Sequence, residues 1–293
     1  MHKTLLPPET EASRIANAQK IVLEVGIPSQ PRALIDIRRL ASNPDVDFEQ
    51  ICDIVRNDPM LSTNTLRLAA SPLFGGTRVF ESVSQSLMVL GFQHFKRCVL
   101  SAIVEKTLSS NSYSMDRFWV HSTAVAALCQ KVCERFVPEM ADSAYQAGLL
   151  HDVGTLVLHK FNDQYHRTAD QALALDFRNL VEEYTGYGTD HGAISMLFCQ
   201  KWEMPRQVSE VVAYHHEPDY SCHTSEPVRV LKAILQLAEM LFVYGMNQGI
   251  LGLAPNRKTA EVLATIREIL GIDDSELNGL KSIASSIMAE PTP

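Results

Sequence analysis

Along almost the whole chain apolar residues recur at three- and four-residue intervals, and no run alternates with the two-residue period of a half-buried strand. That rhythm restricts the fold to an all-α class, built by packing helices on one another. Between Glu11 and Leu40, residues such as Ile15, Ile21, Leu34 and Ile37 predict two helices. They break at Ile27-Pro28 and Pro31, because proline cannot continue a helix interior. Phe48, Ile51, Ile54 and Val55 predict a helix that stops before Pro59, after which Leu61, Leu66 and Leu68 carry the pattern to about Ala70. Ser71 to Thr77 reads as turn chemistry, followed by a helix from Ser82 to Leu90 that Gly91 can end in a left-handed conformation. Another helix is expected from Gln93 to about Leu108. Asp45, Asp47 and Asp58 fall near these helix boundaries, where capping is the simplest role, and Asp53 suits a solvated face.

The polar segment Ser109 to Ser114 reads as a linker. It divides the expectation into an amino-terminal helical subdomain over residues 1–110 and a second helical subdomain over 111–285. In the latter, helices are predicted for Phe118–Phe136, Asp142–Phe161, Thr168–Tyr184, His191–Lys201, Arg206–His215 and Val228–Tyr244, with a last one over Thr259–Leu270. The tail from Met288 should fray. No solenoid repeat and no long block of like charge interrupts this organisation.

With 293 residues, of which 46% are hydrophobic and 20% charged, the chain has material for one extended core or two smaller ones. A formal net charge of −8 gives no electrostatic reason to approach nucleic acid or an anionic membrane, so neither is expected as a partner. A phosphate-bearing ligand would need a local cation such as a metal. Six cysteines without a CxxC pair, and a start from Met1 to Ser13 without an apolar h-region, lead us to expect a reducing cytoplasm. Cys129 and Cys133 share a helix face but read as small buried thiols. Ala233 to Pro255 is long and apolar, yet Gln236, Glu239 and three glycines make a core helix the better reading.

Ten histidines are present, and those beyond Ser114 form the central pattern: His121, the adjacent His151 and Asp152, His191, and the adjacent His215 and His216. Consecutive residues on a helix point about 100° apart, so His151 and Asp152 can share an ion only if a helix end or its neighbours curl around it. Four predicted helices could each offer a ligand. Imidazole with carboxylate suits iron, manganese, zinc or nickel, and a carboxylate such as Asp152 can bridge two ions. Each histidine alone could instead be a core residue satisfied by hydrogen bonds, or a cap at a helix C-terminus.

The string Gly148-Leu-Leu-His-Asp-Val-Gly154 resembles the hallmark of the HD superfamily. Gly188-Thr-Asp-His-Gly192, Trp202-Glu-Met-Pro205, His215-His216 and Phe118-Trp-Val-His-Ser122 resemble HDOD domains in particular. Asn57-Asp-Pro-Met-Leu61, Leu66-Arg-Leu-Ala69, Ser71-Pro-Leu-Phe-Gly75 and Val89-Leu-Gly-Phe92 extend the likeness over roughly Val25 to Leu241. In the HD-type enzymes that cleave cyclic di-GMP, metal is held by a helix histidine, the HD pair, a following histidine, a double histidine and a late aspartate. The resemblance implies His121, His151, Asp152, His191, His215 and His216 as ligands here, with Glu239 of Leu237-Ala-Glu-Met240 in place of the aspartate. Two departures concern catalysis: Thr155 stands where a lysine commonly follows the HD-x-G string, and His215-His216-Glu217-Pro218 does not continue into a GYP motif.

The resemblance therefore implies a bacterial signalling output module that binds a protein partner, holding one or two transition-metal ions or a nucleotide or phosphate ligand. The alternative is a metal-dependent phosphohydrolase acting on a phosphodiester such as a cyclic dinucleotide, with Asp152 as the catalytic bridging carboxylate. A third reading packs the histidines as a polar core without any ion.

Overall fold

The computed structural model describes residues 10–289 apart from 44, 72–73, 75–78, 109–115, 163–164, 166–178, 222–224, 251 and 255. The expected linker at Ser109 to Ser114, most of the 71–77 turn, the first part of the predicted Thr168–Tyr184 helix, Cys222 and the end of the tail lie outside the described residues.

Helix α1 (Glu11–Val25) begins at a reciprocal capping box between Thr10 and Ser13 and ends at Gly26. Helix α2 (Arg32–Ala41) follows Pro31, as the prolines require. Asp47 caps α3 (Phe48–Arg56) by accepting from the Glu49 amide at 2.9 Å, and Asp58 caps α4 (Pro59–Ala69) by accepting from the Leu61 amide at 3.1 Å. Helix α5 (Val83–Leu108) is interrupted at Gly91, whose φ of 74° lies outside helical space, so the two stretches expected on either side of this glycine are both present. By length and composition α5 could cross a membrane, and 56% of its most apolar window is buried in the protein.

Contacts divide the described chain into two compact units. One runs from Pro28 to Thr123, where α3 and α4 pack on α5 through buried residues that include Ile51, Val55, Leu61, Leu68, Phe95 and Cys98. The other joins the described residues up to Ile27 with Ala124–Ala289. Helix α6 (Asp116–Phe136) contributes residues to both.

In the second unit α7 (Ala141–Leu150) lies against the later part of α6, and Gly148 allows this, since a Cβ there would stand 2.7 Å from the Ala126 Cα. Helix α8 (Val153–Phe161) follows after a break at His151-Asp152, where a single helix over Asp142–Phe161 was expected. The apolar rhythm runs through the break because α7 and α8 each bury residues on both sides of it. Next come α9 (Asn179–Tyr187), α10 (His191–Lys201) and α11 (Arg206–Ala213). Helix α12 (Glu226–Met246) is buried along most of its length and serves as the central core helix, in keeping with the reading of Ala233 to Pro255. Helix α13 (Arg257–Leu270) ends at Gly271 in a left-handed conformation. A further helix not expected from the sequence, α14 (Asp274–Ala289), packs on α12 through Leu277, Leu280 and Ala284. Its start is fixed by Asp273 and Glu276, each accepting from the other's amide.

Ala18 and Ile21 of α1 pack with Val157 and Leu158 of α8 and with Ala193 and Ile194 of α10. The first helix of the chain is thereby part of the frame around the residues that follow. All described cysteines are free and buried, Cys129 and Cys133 among them.

Candidate metal centre

His151 and Asp152 occupy the turn between α7 and α8 rather than the face of a helix. Asp152 leaves helical geometry at φ −103° and ψ 6°, which lets two consecutive side chains converge, with His151 Nε2 3.2 Å from Asp152 Oδ2. The lysine position after the HD-x-G string is filled by Thr155, whose hydroxyl donates to the Asp152 carbonyl at 2.6 Å and steadies the turn.

His191 opens α10. Asp190 caps that helix by accepting from the Ala193 amide at 2.9 Å. Gly154 makes the approach of α8 to α10 feasible, because a Cβ at this position would lie 2.0 Å from the His191 carbonyl oxygen. His215 and His216 follow the last residue of α11, and Gln236 of α12 holds their turn by donating to the carbonyls of His215 at 2.6 Å and Glu217 at 2.9 Å. One helical turn further along α12 stands Glu239, 3.9 Å from His151 Nε2.

Six of the seven predicted ligands thus meet in one buried place, all 3% exposed or less. Ligand atoms of Asp152, His191, His215 and His216 lie within 4.8 Å of one another, as do those of His151, His215 and Glu239. The seventh, His121, is buried on α6, in the part of that helix that belongs to the Pro28–Thr123 unit.

The outer nitrogens decide what the inner ones can do. His151 Nδ1 lies 2.7 Å from the Gly148 carbonyl and His215 Nδ1 2.8 Å from the Val212 carbonyl. His191 Nδ1 is 2.9 Å from both oxygens of Glu183. Since carbonyl and carboxylate oxygens only accept, each Nδ1 carries the proton, and each neutral ring turns an Nε2 lone pair inward. Yet His191 Nε2 lies 3.3 Å from His215 Nε2, 3.0 Å from His216 Nε2 and 3.2 Å from Asp152 Oδ1. Lone pairs and a carboxylate at such spacing repel unless a metal ion or a proton lies between them. The donor set is therefore one that suits a transition-metal ion. His216 Nδ1 and Glu239 Oε2 are buried with no hydrogen-bond partner among the described residues, which agrees with a centre made to hold something more than protein.

Without an ion the cluster redistributes protons. Burial works to lower His191, but the Glu183 and Asp152 carboxylates outweigh it and hold this ring well above its ordinary value. His151 is raised for the same reason, with Asp152 overcoming burial. Burial, helped by the neighbouring imidazoles, pushes His215 down to about 4, and burial pushes Glu239 up to about 8.

Glu183 was not among the residues singled out from the sequence. Fully buried, it accepts from the Tyr165 hydroxyl at 2.7 Å and the His191 amide at 2.7 Å, besides facing the His191 ring. Its signal is register: Leu180, Glu183 and Tyr187 fall at i, i+3 and i+7, which puts a carboxylate on the inward stripe of α9, whereas Glu182 is exposed.

A family model for the HDOD domain matches residues 27–218. An uncharacterised protein of Treponema pallidum (strain Nichols) is 25% identical over 208 residues, a match covering 69% of this chain but 40% of that protein, so the chain spans less than half of this relative's length. Among solved structures, an HDOD domain protein of unknown function from Geobacter sulfurreducens aligns with a TM-score of 0.70 at 21% identity, covering 96% of this chain and 97% of that one. A protein of Shewanella amazonensis SB2B described as a candidate phosphohydrolase gives a TM-score of 0.67 at 24% identity over 93% and 96% of the two chains. One of Marinobacter aquaeolei VT8 described as a candidate signal transduction protein gives 0.70 at 20% identity over 95% and 64%. At these identities the structures establish the all-α fold, and the family model, which spans most of the chain, makes this protein a member of the HDOD domain family.

Proposed function

We propose that this chain is a cytoplasmic bacterial signal-transduction output module that acts by binding a protein partner, with one or two transition-metal ions held at its centre as a structural or regulatory element. The observation that carries the metal is the convergence of the His191, His215 and His216 Nε2 atoms on Asp152, with the Nδ1 protons of His191 and His215 committed outward. His121 stays in the ligand set, as the sequence pattern and the resemblance give it. Iron, manganese, zinc and nickel all suit these donors.

The signalling reading is favoured over hydrolysis by what surrounds the cluster. Thr155 supplies no positive charge, and a cavity whose lining includes His215 and His216 has a volume of about 80 Å³. Pockets for drug-sized ligands are typically about 300–1,000 Å³. One feature favours the second reading, a metal-dependent phosphohydrolase: the two oxygens of Asp152 face different histidines, Oδ2 lying 3.2 Å from His151 Nε2 and Oδ1 3.2 Å from His191 Nε2, as a carboxylate able to bridge two neighbouring ions would. Bound metal would supply Lewis acidity and a more acidic water.

Elemental analysis of purified protein beside an Asp152→Ala variant tests the proposal. About one or two equivalents of metal, lost in the variant, is the expected result; wild-type protein without metal would refute the metal centre and point to a module that acts through its partner alone. Turnover of bis(4-nitrophenyl) phosphate or a cyclic dinucleotide, abolished by Asp152→Asn, would replace the first reading by the second.

A further inference from the structure

We propose that Arg14 is a positioning residue of this centre, locking the start of the His191 helix against the turn that carries His215 and His216; the inference rests on the metal reading above. Arg14 lies on α1, outside residues 27–218 matched by the family model. Its guanidinium meets the Asp190 carboxylate along two edges, through Nε to Oδ2 and through Nη2 to Oδ1 at 2.9 Å. The same Nη2 donates to the Ala213 carbonyl at 2.6 Å, and Nη1 donates to Glu11 at 2.9 Å. Arg14 and Asp190 are only 6% and 1% exposed.

Two of the three acceptors stand within two residues of a ligand. Asp190 precedes His191 and caps its helix, while Ala213 is the last residue of α11, two positions before His215. A single planar fork therefore spans the two helix ends whose histidines lie 3.3 Å apart at Nε2. These two ends already pack directly on each other. A Cβ on Gly192 would stand 3.0 Å from the Val212 and Ala213 carbonyls and from Asp190 Oδ1, so the backbones are already in close contact. The guanidinium also stacks 5.2 Å from the centre of the Tyr214 ring, whose hydroxyl donates to Glu11 at 2.8 Å, which secures α1 over the same turn. Metal–ligand distances tolerate changes of only about 0.2 Å, so small slippage between these ends is felt at the ion. An arginine serving stability alone would lower the melting temperature and leave ion affinity unchanged.

The test uses the full chain with Co²⁺ as probe, reading the visible absorption spectrum and the Kd by chelator competition. Arg14→Gln is expected to weaken Co²⁺ binding by about 10–100-fold, the usual consequence of losing an outer-shell partner, with an altered spectrum. Arg14→Lys should fall between, because an ammonium keeps the charge and loses the planar fork. Arg67→Gln, which removes the 2.6 Å pair with Glu105 in the Pro28–Thr123 unit, should stay within about threefold of wild type. A folded Arg14→Gln protein that binds Co²⁺ within about threefold of wild type, with the same spectrum, would overturn the positioning role and leave the metal reading intact. Wild-type protein that takes up no Co²⁺ would remove both. Should Arg14→Gln fail to fold, Asp190→Asn decides by the same criteria, since asparagine keeps the helix cap and loses the charge partner.

Discussion

Replacing Gly154 by alanine adds one methyl group at the most crowded point of the centre. The new Cβ would fall 2.0 Å from the His191 carbonyl oxygen, 2.8 Å from its carbonyl carbon and 3.0 Å from its Cα, all of them backbone. Carbon–oxygen contacts begin at about 3.3 Å, so the start of α10 must retreat by roughly 1.3 Å. That is several times the tolerance of about 0.2 Å in a metal–ligand distance, and the displaced residue carries the ring facing Asp152. Overpacking of this kind costs about 1–3 kcal/mol, or roughly 2–12 °C in Tm for a protein of this size. The expected Gly154→Ala protein is folded by circular dichroism, melts lower and retains less than about a tenth of the wild-type metal, allowing for the usual loss when a ligand shell is disturbed. Gly186→Ala is the matched control: nothing lies within 4 Å of its added Cβ, and in α9 alanine is the better helix former, so Tm should hold or rise. A Gly154→Ala protein with wild-type metal content and a Tm within about 2 °C of wild type would refute the reasoning, because the helices would then have absorbed the methyl group without moving His191.

Three further outcomes are expected. Glu183→Gln keeps the shape of the side chain but turns an amide donor toward the Tyr165 hydroxyl or the His191 nitrogens, so metal affinity should fall about 10–100-fold in a chelator competition, and unchanged affinity would remove Glu183 from the centre. Burial holds the Glu239 proton up to about 8 in the folded protein against an ordinary 4.5, so its contribution to stability is lost as pH rises through that window, at up to about 1.4 kcal/mol per unit. In chelated protein the stability of Glu239→Gln relative to wild type should accordingly increase between pH 5 and 8 in urea titrations, and a difference independent of pH would contradict the burial argument. Asp58→Ala removes the cap of α4 and should cost about 1 kcal/mol in thermal melts with metal content unchanged, whereas loss of metal would show that the Pro28–Thr123 unit bears on the centre.

Periodicity and proline placement made the helical class readable, and α10 runs over His191–Lys201 as expected. The break at His151-Asp152 was not readable, because burial on both sides keeps the apolar rhythm going across a turn made by the backbone of Asp152. Helix α14 was legible, since Leu277, Leu280 and Ala284 fall at i, i+3 and i+7 and the Asp273-Glu276 capping pair marks its start. Within the centre, histidine is scarce and so stands out by type. Glu183, Gln236 and Arg14 are of common types and reach the histidines through the fold, from α9, α12 and α1. Only the position of Glu183 on an inward stripe could have flagged one of them beforehand.

The two adjacent pairs share a construction that explains why they sit at helix ends. Consecutive residues inside a helix diverge by about 100°, so neither His151-Asp152 nor His215-His216 could converge from a helix face. Helix α7 ends at Leu150 and α11 at Ala213, freeing the backbone to turn both members inward. Termination also leaves last-turn carbonyls without intrahelical donors. In each case the histidine ring donates Nδ1–H to the carbonyl three residues back, Gly148 for His151 and Val212 for His215. Ending the helix therefore supplies both the turn that aims the ring and the acceptor that fixes its tautomer. The negative end of the helix dipole adds a field that favours a cation at the same spot. A histidine placed a full turn earlier in either helix would have none of the three, which is why the ligand pairs follow the helices instead of lying along them.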